Sequence, residues 1–375
     1  PKPQNPNFMK KFFAYDFSFY LYWYDYGQKS YILPRYRNFN IFGLKSFYLN
    51  FFIIYLSKKQ MFAAVKAAAA TSLFSGDVMQ SEDYEFMKFV TEHGKSYGTV
   101  AEFQFRSAQF KQRHAEIQAF NADANNTHVV GHNEFSDYTY AEMKARNGYK
   151  HKEQTKVVEL DTSANAATVD WRSKGAVTPV KNQGQCGSCW AFSTTGSVEA
   201  AYFLKHGVLK SFSEQQLVDC AGGIYHNNGC NGGLMDYAFQ YIEANPLELE
   251  SDYAYHARDG TCKAVKSKEV GTVAGYNDVP HTADQLRAAL NKSTVSVAIE
   301  ADQMAFQAYR SGVITSGCGT RLDHGVLAVG YGTLNGQDYF LVKNSWGASW
   351  GDQGYVRIGA NNVCGILLSA SYPHE

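Results

Sequence analysis

All seven cysteines of the chain fall between Cys186 and Cys364, and residues 1–185 hold none. An odd count leaves at least one thiol outside any set of intramolecular pairs. The clustering also divides the chain into a cysteine-free front and a compact, Gly-rich, Cys-bearing back that begins near Val169. With 375 residues there is room for one large domain or two, each with a substantial core. A hydrophobic content of 45% excludes a mostly disordered chain. In the front, residues 81–121 are charged and helix-like, with Phe86, Phe89 and Val90, then Phe103, Phe110, Ile117 and Phe120, at helical spacing. Between 150 and 168 the composition shifts to Lys, Gln, Thr, Ser, Asn and Ala, which reads as an exposed linker of the kind proteases cut.

The first 60 residues have a different texture. They carry 20 aromatic residues, nine Lys plus Arg and only two acids, Asp16 and Asp25, with no helix or strand period. The apolar run Phe47 to Leu56 is shorter than the roughly 20 residues a membrane-spanning helix needs. Met61, with Lys66, an alanine-rich run and Ser75-Gly76 behind it, is similar to a secretory signal peptide. Met61 is therefore read as the start of the native chain, with 61–79 a signal segment and 1–60 an unstructured or foreign extension. A genuine unstructured leader and a signal anchor at 41–56 are the alternatives. The zero net charge hides this division: 35 basic residues balance 35 acids, yet nine of the basic ones and two of the acids lie in residues 1–60. The remainder is mildly acidic, and no uniform basic field for nucleic acid exists. Nothing in the sequence suggests a metal, cofactor or nucleotide site.

The chemistry centres on Gln183-Gly184-Gln185-Cys186-Gly187-Ser188-Cys189-Trp190. Cys189 opens a stretch to Lys205 whose small and apolar residues all round predict a buried helix, with Glu199 its one charge before Lys205. A thiol in the first turn of such a helix faces unpaired N–H groups and the positive end of the dipole, which favours the nucleophilic thiolate. A redox dithiol or half of a zinc site are the other readings of Cys186-x-x-Cys189. A zinc site wants a second close ligand pair, and Cys220 and Cys230 do not form one. A redox motif wants a preceding βαβ strand. Further on, His324 stands at the entrance of the apolar run Gly325–Gly332, and Asn344 ends a second strand-like run from Tyr339. Twenty residues apart, the two can meet across neighbouring strands, giving a nucleophile, a base and a group that orients the base.

Together these three elements resemble the papain family of cysteine proteases, over roughly residues 80–375. The resemblance implies an α+β fold of two lobes, a helical one carrying Cys189 and a β-barrel-like one carrying His324, behind an α-helical prodomain. It implies Cys189 as nucleophile, His324 as general acid/base, Asn344 as its orienter, Gln183 as oxyanion donor and Trp346 as cover over the His–Asn contact. It also implies the pairings Cys186–Cys230, Cys220–Cys262 and Cys318–Cys364, with Cys189 left free. Such bridges need an oxidising compartment, namely lysosome, vacuole or secretion.

The segment Gly229 to Ala238 resembles the cathepsin L branch. Gly232 and Gly233 are expected to offer backbone to an extended peptide. Leu234, Met235, Ala298, Leu322 and Ser369 are expected to form an uncharged pocket preferring Leu, Phe or Val two residues before the scissile bond. Asp323 and Trp346 complete the expected substrate contacts. No inserted loop with paired histidines appears between Cys220 and Cys230, which favours an endopeptidase. In the front, Glu102, Arg106, Phe110, Ile117 and Asn121 match one face of the family's prodomain helix, with Arg113 standing where the pattern expects Asn. Gly131-x-Asn133-x-Phe135-x-Asp137 matches the second prodomain motif. The resemblance thus implies an inhibitory prodomain over 80–165 and a peptidase over 166–375. Carboxylates including Asp137 are expected to lose charge in acid, loosen the prodomain and start self-cleavage in the linker. Expected partners are protein and peptide substrates, the chain's own prodomain and cystatin-type inhibitors, with a monomer and no stable membrane insertion. A silent binding homologue or a peptide ligase are the competing functions. Two sequons, Asn125-Asn126-Thr127 and Asn291-Lys292-Ser293, carry little weight by themselves.

Overall fold

The computed structural model describes residues 20–26, 29–35 and 80–374. The readings made for the signal segment 61–79 and the anchor 41–56 lie outside the described residues. Within 1–60, β1 (Tyr20–Tyr26) and β2 (Lys29–Arg35) form an antiparallel pair with Trp23 opposite Ile32. No regular structure was expected there. Runs of Tyr, Trp and Ile carry high strand propensity even without alternation, which accounts for the pairing. This hairpin belongs to a separate unit from the one that begins at Asp77.

The second unit opens with two helices, α1 (Ser81–Glu92) and α2 (Val100–Ala122). Thr99 caps α2 by accepting the Glu102 N–H at 3.1 Å, and Glu102 in turn accepts the Gly98 N–H. Phe86, Phe89 and Phe110 close a small core between the helices, with Val90, Tyr97 and Phe103 around them. Each phenyl ring buried in this way contributes about 1.5–3 kcal/mol. The chain then forms the short strand β3 (His128–Val130), antiparallel to β7 (Tyr309–Gly312) of the back portion. Ile117 and Val130 of the front pack with Ala308 of the back in one cluster, so the front is seated and not merely tethered. A third helix, α3 (Tyr140–Lys144), starts with a reciprocal cap between Thr139 and Glu142.

The back portion has two cores. The first gathers around α4 (Cys189–His206), α5 (Glu214–Cys220) and α6 (Met235–Ala244), with Trp190, Val198, Phe212, Leu217, Phe239 and Ile242 at its centre. α4 is buried on every side through its first 13 residues, as its composition predicted, and stops at Gly207, whose φ of 69° suits a residue without a side chain. The second core lies on a seven-stranded antiparallel sheet ordered β10 (Tyr355–Gly359), β9 (Gln337–Lys343), β8 (His324–Leu334), β6 (Val295–Ile299), β11 (Ala370–His374) and β5 (Gly275–Asp278), with β4 (Val169–Asp170) also on β8. Val297, Val326, Phe340, Val342 and Ile358 fill it. The helix α7 (Ala283–Lys292) adds Leu286, Ala289 and Leu290. Disulfides join Cys186 to Cys230, Cys220 to Cys262 and Cys318 to Cys364, and Cys189 is free. Among the described residues no helix is long and apolar enough to cross a membrane.

Candidate active site

The two cores meet where α4 begins. β8 starts at His324, β9 ends at Lys343 just before Asn344, and the pairing of Leu327 with Lys343 brings both to the end of the sheet that faces Cys189. The Asn344 Oδ1 atom is only an acceptor, so the 2.8 Å contact places the proton on His324 Nε2. That leaves the Nδ1 lone pair free, and Nδ1 is buried without a partner. The neighbouring Gly325 N–H donates to Cys189 Sγ at 3.4 Å, which places the sulfur against the residue next to His324. The Trp346 ring lies 4.9 Å from the imidazole and shields the His–Asn contact from water.

Residues Arg146 to Lys150, which follow α3, lie directly over this group. Gly148 N–H donates to Cys189 Sγ at 3.2 Å, and Gln183 Nε2 donates to the Arg146 carbonyl at 2.7 Å. A peptide carbonyl thus rests on the donor assigned to the oxyanion. Gly148 pairs with Gly233 by backbone on one side of Tyr149, and Lys150 does so on the other, in parallel register. A side chain at Gly148 would collide with the Gly187 carbonyl, so only glycine passes here. Tyr149 enters an apolar cluster containing Leu234, Met235, Ala298 and Leu322, and its hydroxyl lies 2.7 Å from Ser369 Oγ. Asp323 accepts the Tyr149 N–H on its carbonyl and the Asn147 amide on its carboxylate. Gly232, at φ 108°, would strike the Gly148 carbonyl if it carried a side chain. Every residue nominated for substrate contact therefore either touches this segment or stands beside one that does.

The electrostatics differ from the sequence reading in one respect. Burial pushes the Cys189 thiol up to about 11, only partly offset by the N–H groups of Gly325 and Gly148. Burial likewise brings His324 down to about 4, against the pull of Asn344. The helix N-terminus does not produce a thiolate in this state, because the covering segment removes the water that a charged pair needs. Burial thus favours the neutral thiol and the neutral imidazole while the cover is in place.

Two groups escaped the sequence reading. Lys181 Nζ contacts Glu199 at 3.0 Å and Glu214 at 2.6 Å beneath α4, with Thr178 and Thr195 donating to the same carboxylates. Lys343 donates to Thr178 at 3.0 Å, and burial lowers its pKa to about 8. A solitary Glu199 in an apolar helix was the available signal, since a buried charge requires a partner. The covering residues Arg146, Asn147 and Tyr149 left no signal, because no motif marks the distant partners that their side chains and backbone find. Arg146 is 2% exposed, stacked 4.4 Å from Phe135.

A buried thiol next to the start of the strand that carries a histidine paired with asparagine, under a peptide from the same chain, defines a cysteine-type peptidase held as a zymogen. The description "Papain family cysteine protease" matches residues 165–374, and "Cathepsin propeptide inhibitor domain (I29)" matches 86–143. The chain belongs to the papain family of cysteine proteases. It is 44% identical over 302 residues to digestive cysteine proteinase 1 of Homarus americanus, covering 76% of this chain and 93% of that one. It is 43% identical over 336 residues to a cathepsin L-like peptidase of Aedes aegypti, covering 83% and 97%. Among solved structures, digestive procathepsin L 3 from the Tenebrio molitor larval midgut superposes with a TM-score of 0.73 at 41% identity, covering 79% of this chain and all of that one.

Proposed function

We propose that the chain is an endopeptidase zymogen that cleaves peptide bonds by Cys-His-Asn thioester chemistry, with residues 80–165 as prodomain and 166–375 as peptidase. Once the prodomain leaves, water re-enters and the proton moves from Cys189 to His324 Nδ1. The thiolate attacks the scissile carbonyl carbon, and the oxyanion takes the place of the Arg146 carbonyl on Gln183 Nε2. His324 returns its proton to the leaving amine as the C–N bond breaks. Water then attacks the acyl-thioester, giving its proton to His324, and the carboxylic product departs with Cys189 restored. Asn344 holds the ring in the tautomer that these transfers need. The observation that carries the reading is the Arg146–Lys150 backbone, a peptide already seated on sulfur, oxyanion donor and Gly233 together.

The seat of Tyr149 supports an apolar or aromatic preference two residues before the scissile bond. The proposal extends to a monomer working in a lysosome, vacuole or secreted fluid and held by cystatin-type inhibitors, in keeping with three disulfides. Matured enzyme is expected to cleave fluorogenic peptides carrying Phe, Leu or Val at that position and to lose all cleavage on Cys189→Ala. A preference for Arg there, or activity surviving Cys189→Ala, would overturn the reading.

A further inference from the structure

The two sequons, one ending in Thr127 and the other in Ser293, are very unequal in structure. Asn125 lies in the exposed turn between α2 and β3, and its Nδ2 donates only to Asp123 Oδ1 at 2.9 Å. An N-linked sugar replaces one of the two amide hydrogens, so this local bond survives modification. Asn291 stands in the last turn of α7, half-buried, with its Nδ2 directed at Asn165 Oδ1, the Arg287 carbonyl and the Tyr331 hydroxyl at 3.0, 3.0 and 3.1 Å. Ser293 of that sequon is buried. A sugar on Asn291 would occupy the space of those three acceptors and prevent the linker residue Asn165 from docking.

We propose that the zymogen carries an N-linked glycan on Asn125 and none on Asn291, so that the glycan departs with the prodomain and the mature peptidase is bare. The donor is a lipid-pyrophosphate-linked oligosaccharide. Asn125 Nδ2 forms the bond to the anomeric carbon, the bond from that carbon to the pyrophosphate oxygen breaks, and the amide proton is released to a base of the transferase. Timing follows from Thr127. In the folded zymogen its Oγ1 donates to the Val313 carbonyl at 2.7 Å and lies 2.6 Å from Thr315 Oγ1, so the sequon hydroxyl is taken up by the peptidase. Transfer therefore precedes docking, on the nascent chain. The same order disposes of Asn291: chains modified there cannot close α7 against the linker and are lost before secretion. The sugar on Asn125 sits at the rim of the β3–β7 seam, two residues from the contact it borders.

This inference rests on the route through an oxidising compartment proposed above, and the test separates the two. The full chain is secreted from eukaryotic cells, its disulfides are counted by thiol labelling, and the protein is treated with a glycan-removing amidase in heavy-oxygen water. The expected result is one glycan's shift on the zymogen, heavy-isotope Asp at position 125 alone, and no shift on the matured peptidase. Asn125→Gln is expected to remove the shift and Asn291→Gln to leave it. Three formed disulfides with no shift overturn the proposal, as does heavy-isotope Asp at 291 or a shift retained by the mature enzyme. Absent disulfides and absent glycan together would instead overturn the compartment. The isotope mark is read on the unaltered chain, so a poorly folding Asn125→Gln leaves the outcome decided.

Discussion

At the scale of single residues, the site depends on which atoms are left without partners. His324 Nδ1 is bare beside Cys189, Asn344 fixes the opposite nitrogen, and Gln183 points its amide at a carbonyl. Removing an oxyanion donor costs about 10²–10³ in kcat, so Gln183→Ala is expected to fall by that factor with KM nearly unchanged. Steady-state kinetics on matured protein checks this, and an effect confined to KM would contradict the role. Gly148 governs the closed state. Gly148→Ala must displace the segment from the Gly187 carbonyl, so Cys189 should regain water and its ordinary acidity. Alkylation of Cys189 in the intact zymogen is expected to be slow, and to quicken at least tenfold in this variant. Equal rates would show that the cover is not what protects the thiol. The choice of Cys189, His324, Asn344 and Gln183 as candidates was open to sequence reasoning because the roles proposed for them are side-chain roles and the residues sit in a recognisable order. Arg146 to Lys150 were not legible, because their backbone bonds leave no pattern and the side-chain partners of Asn147 and Tyr149 lie 176 and 220 residues further along the chain.

At the scale of elements, the prodomain meets the peptidase through the β3–β7 pair, the Ile117–Val130–Ala308 cluster and the backbone bonds of Gly148, Tyr149 and Lys150, and its buried histidines are the groups that acid would reach. Both α1 and α2 were legible from aromatic spacing, and Asn121 now closes α2 onto β3 by two bonds to Val130. The pairing of β3 with β7 was not legible, since three residues carry no period. His128 in β3 is buried between Phe120 and Tyr309, and burial lowers its pKa to about 4, with the Ala305 carbonyl its only offset. His132 is lowered to about 4 as well, by burial first and then by His114, Arg113, Arg310 and His93. It stacks on Phe110 and shares a 2.9 Å contact with His114. His93, further out, faces Lys95, Glu134, Glu92 and Arg310. Such a histidine binds its proton more weakly when docked, so its support is complete above about 6.5 and is lost as pH falls through 4. His324 adds to the same loss. Asp323 opposes it: burial raises its carboxyl to about 6, which favours docking as pH falls through that value. Four lowered histidines, His93, His128, His132 and His324, stand against the raised carboxyls of Asp323 and of Asp236, which faces Lys152 and Lys156 of the linker, so the prodomain is expected to loosen as pH falls from 6.5 towards 4. The carboxylate expected to respond is Asp137, which Lys95 meets at 2.9 Å and Tyr97 at 2.8 Å, while nearby Glu142 is held at about 2 by Arg106 through two 2.7 Å bonds and stays charged in this window. In a Cys189→Ala zymogen, His128→Phe is expected to move the acid midpoint of the melting curve downward. A midpoint that does not move would remove His128 from the response.

At the scale of the whole molecule, the two-lobed body with a seated front was legible because each part has its own composition and motif. The attachment of the linker was not. Its Lys, Gln and Thr residues read as a free tether, yet the Thr155 and Lys156 N–H groups donate to Asp278, Gln154 donates to the Ala370 carbonyl, and the Leu160 N–H donates to Gln285. Leu160 is itself buried, and the mostly exposed stretch 161–168 beyond it is held by bonds of Asn165, Ala166 and Thr168 to Asp284, Asn291 and Tyr331. This stretch is separated from the chain's own Cys189 by the pinned residues 154–160, while Gly148 occupies the sulfur. A molecule cannot bring 161–168 to its own nucleophile without first releasing both the pinned linker and the cover. A second, already opened molecule has only the bonds of Asn165, Ala166 and Thr168 to release. Maturation is therefore expected to be bimolecular, its early rate rising with the square of zymogen concentration. A trace of matured enzyme should abolish the lag, and the new N-terminus should fall between residues 162 and 169. A lag and rate constant independent of concentration, or a cut between 154 and 160, would mean that the linker leaves Asp278 and Gln285 before cleavage and that each molecule opens itself.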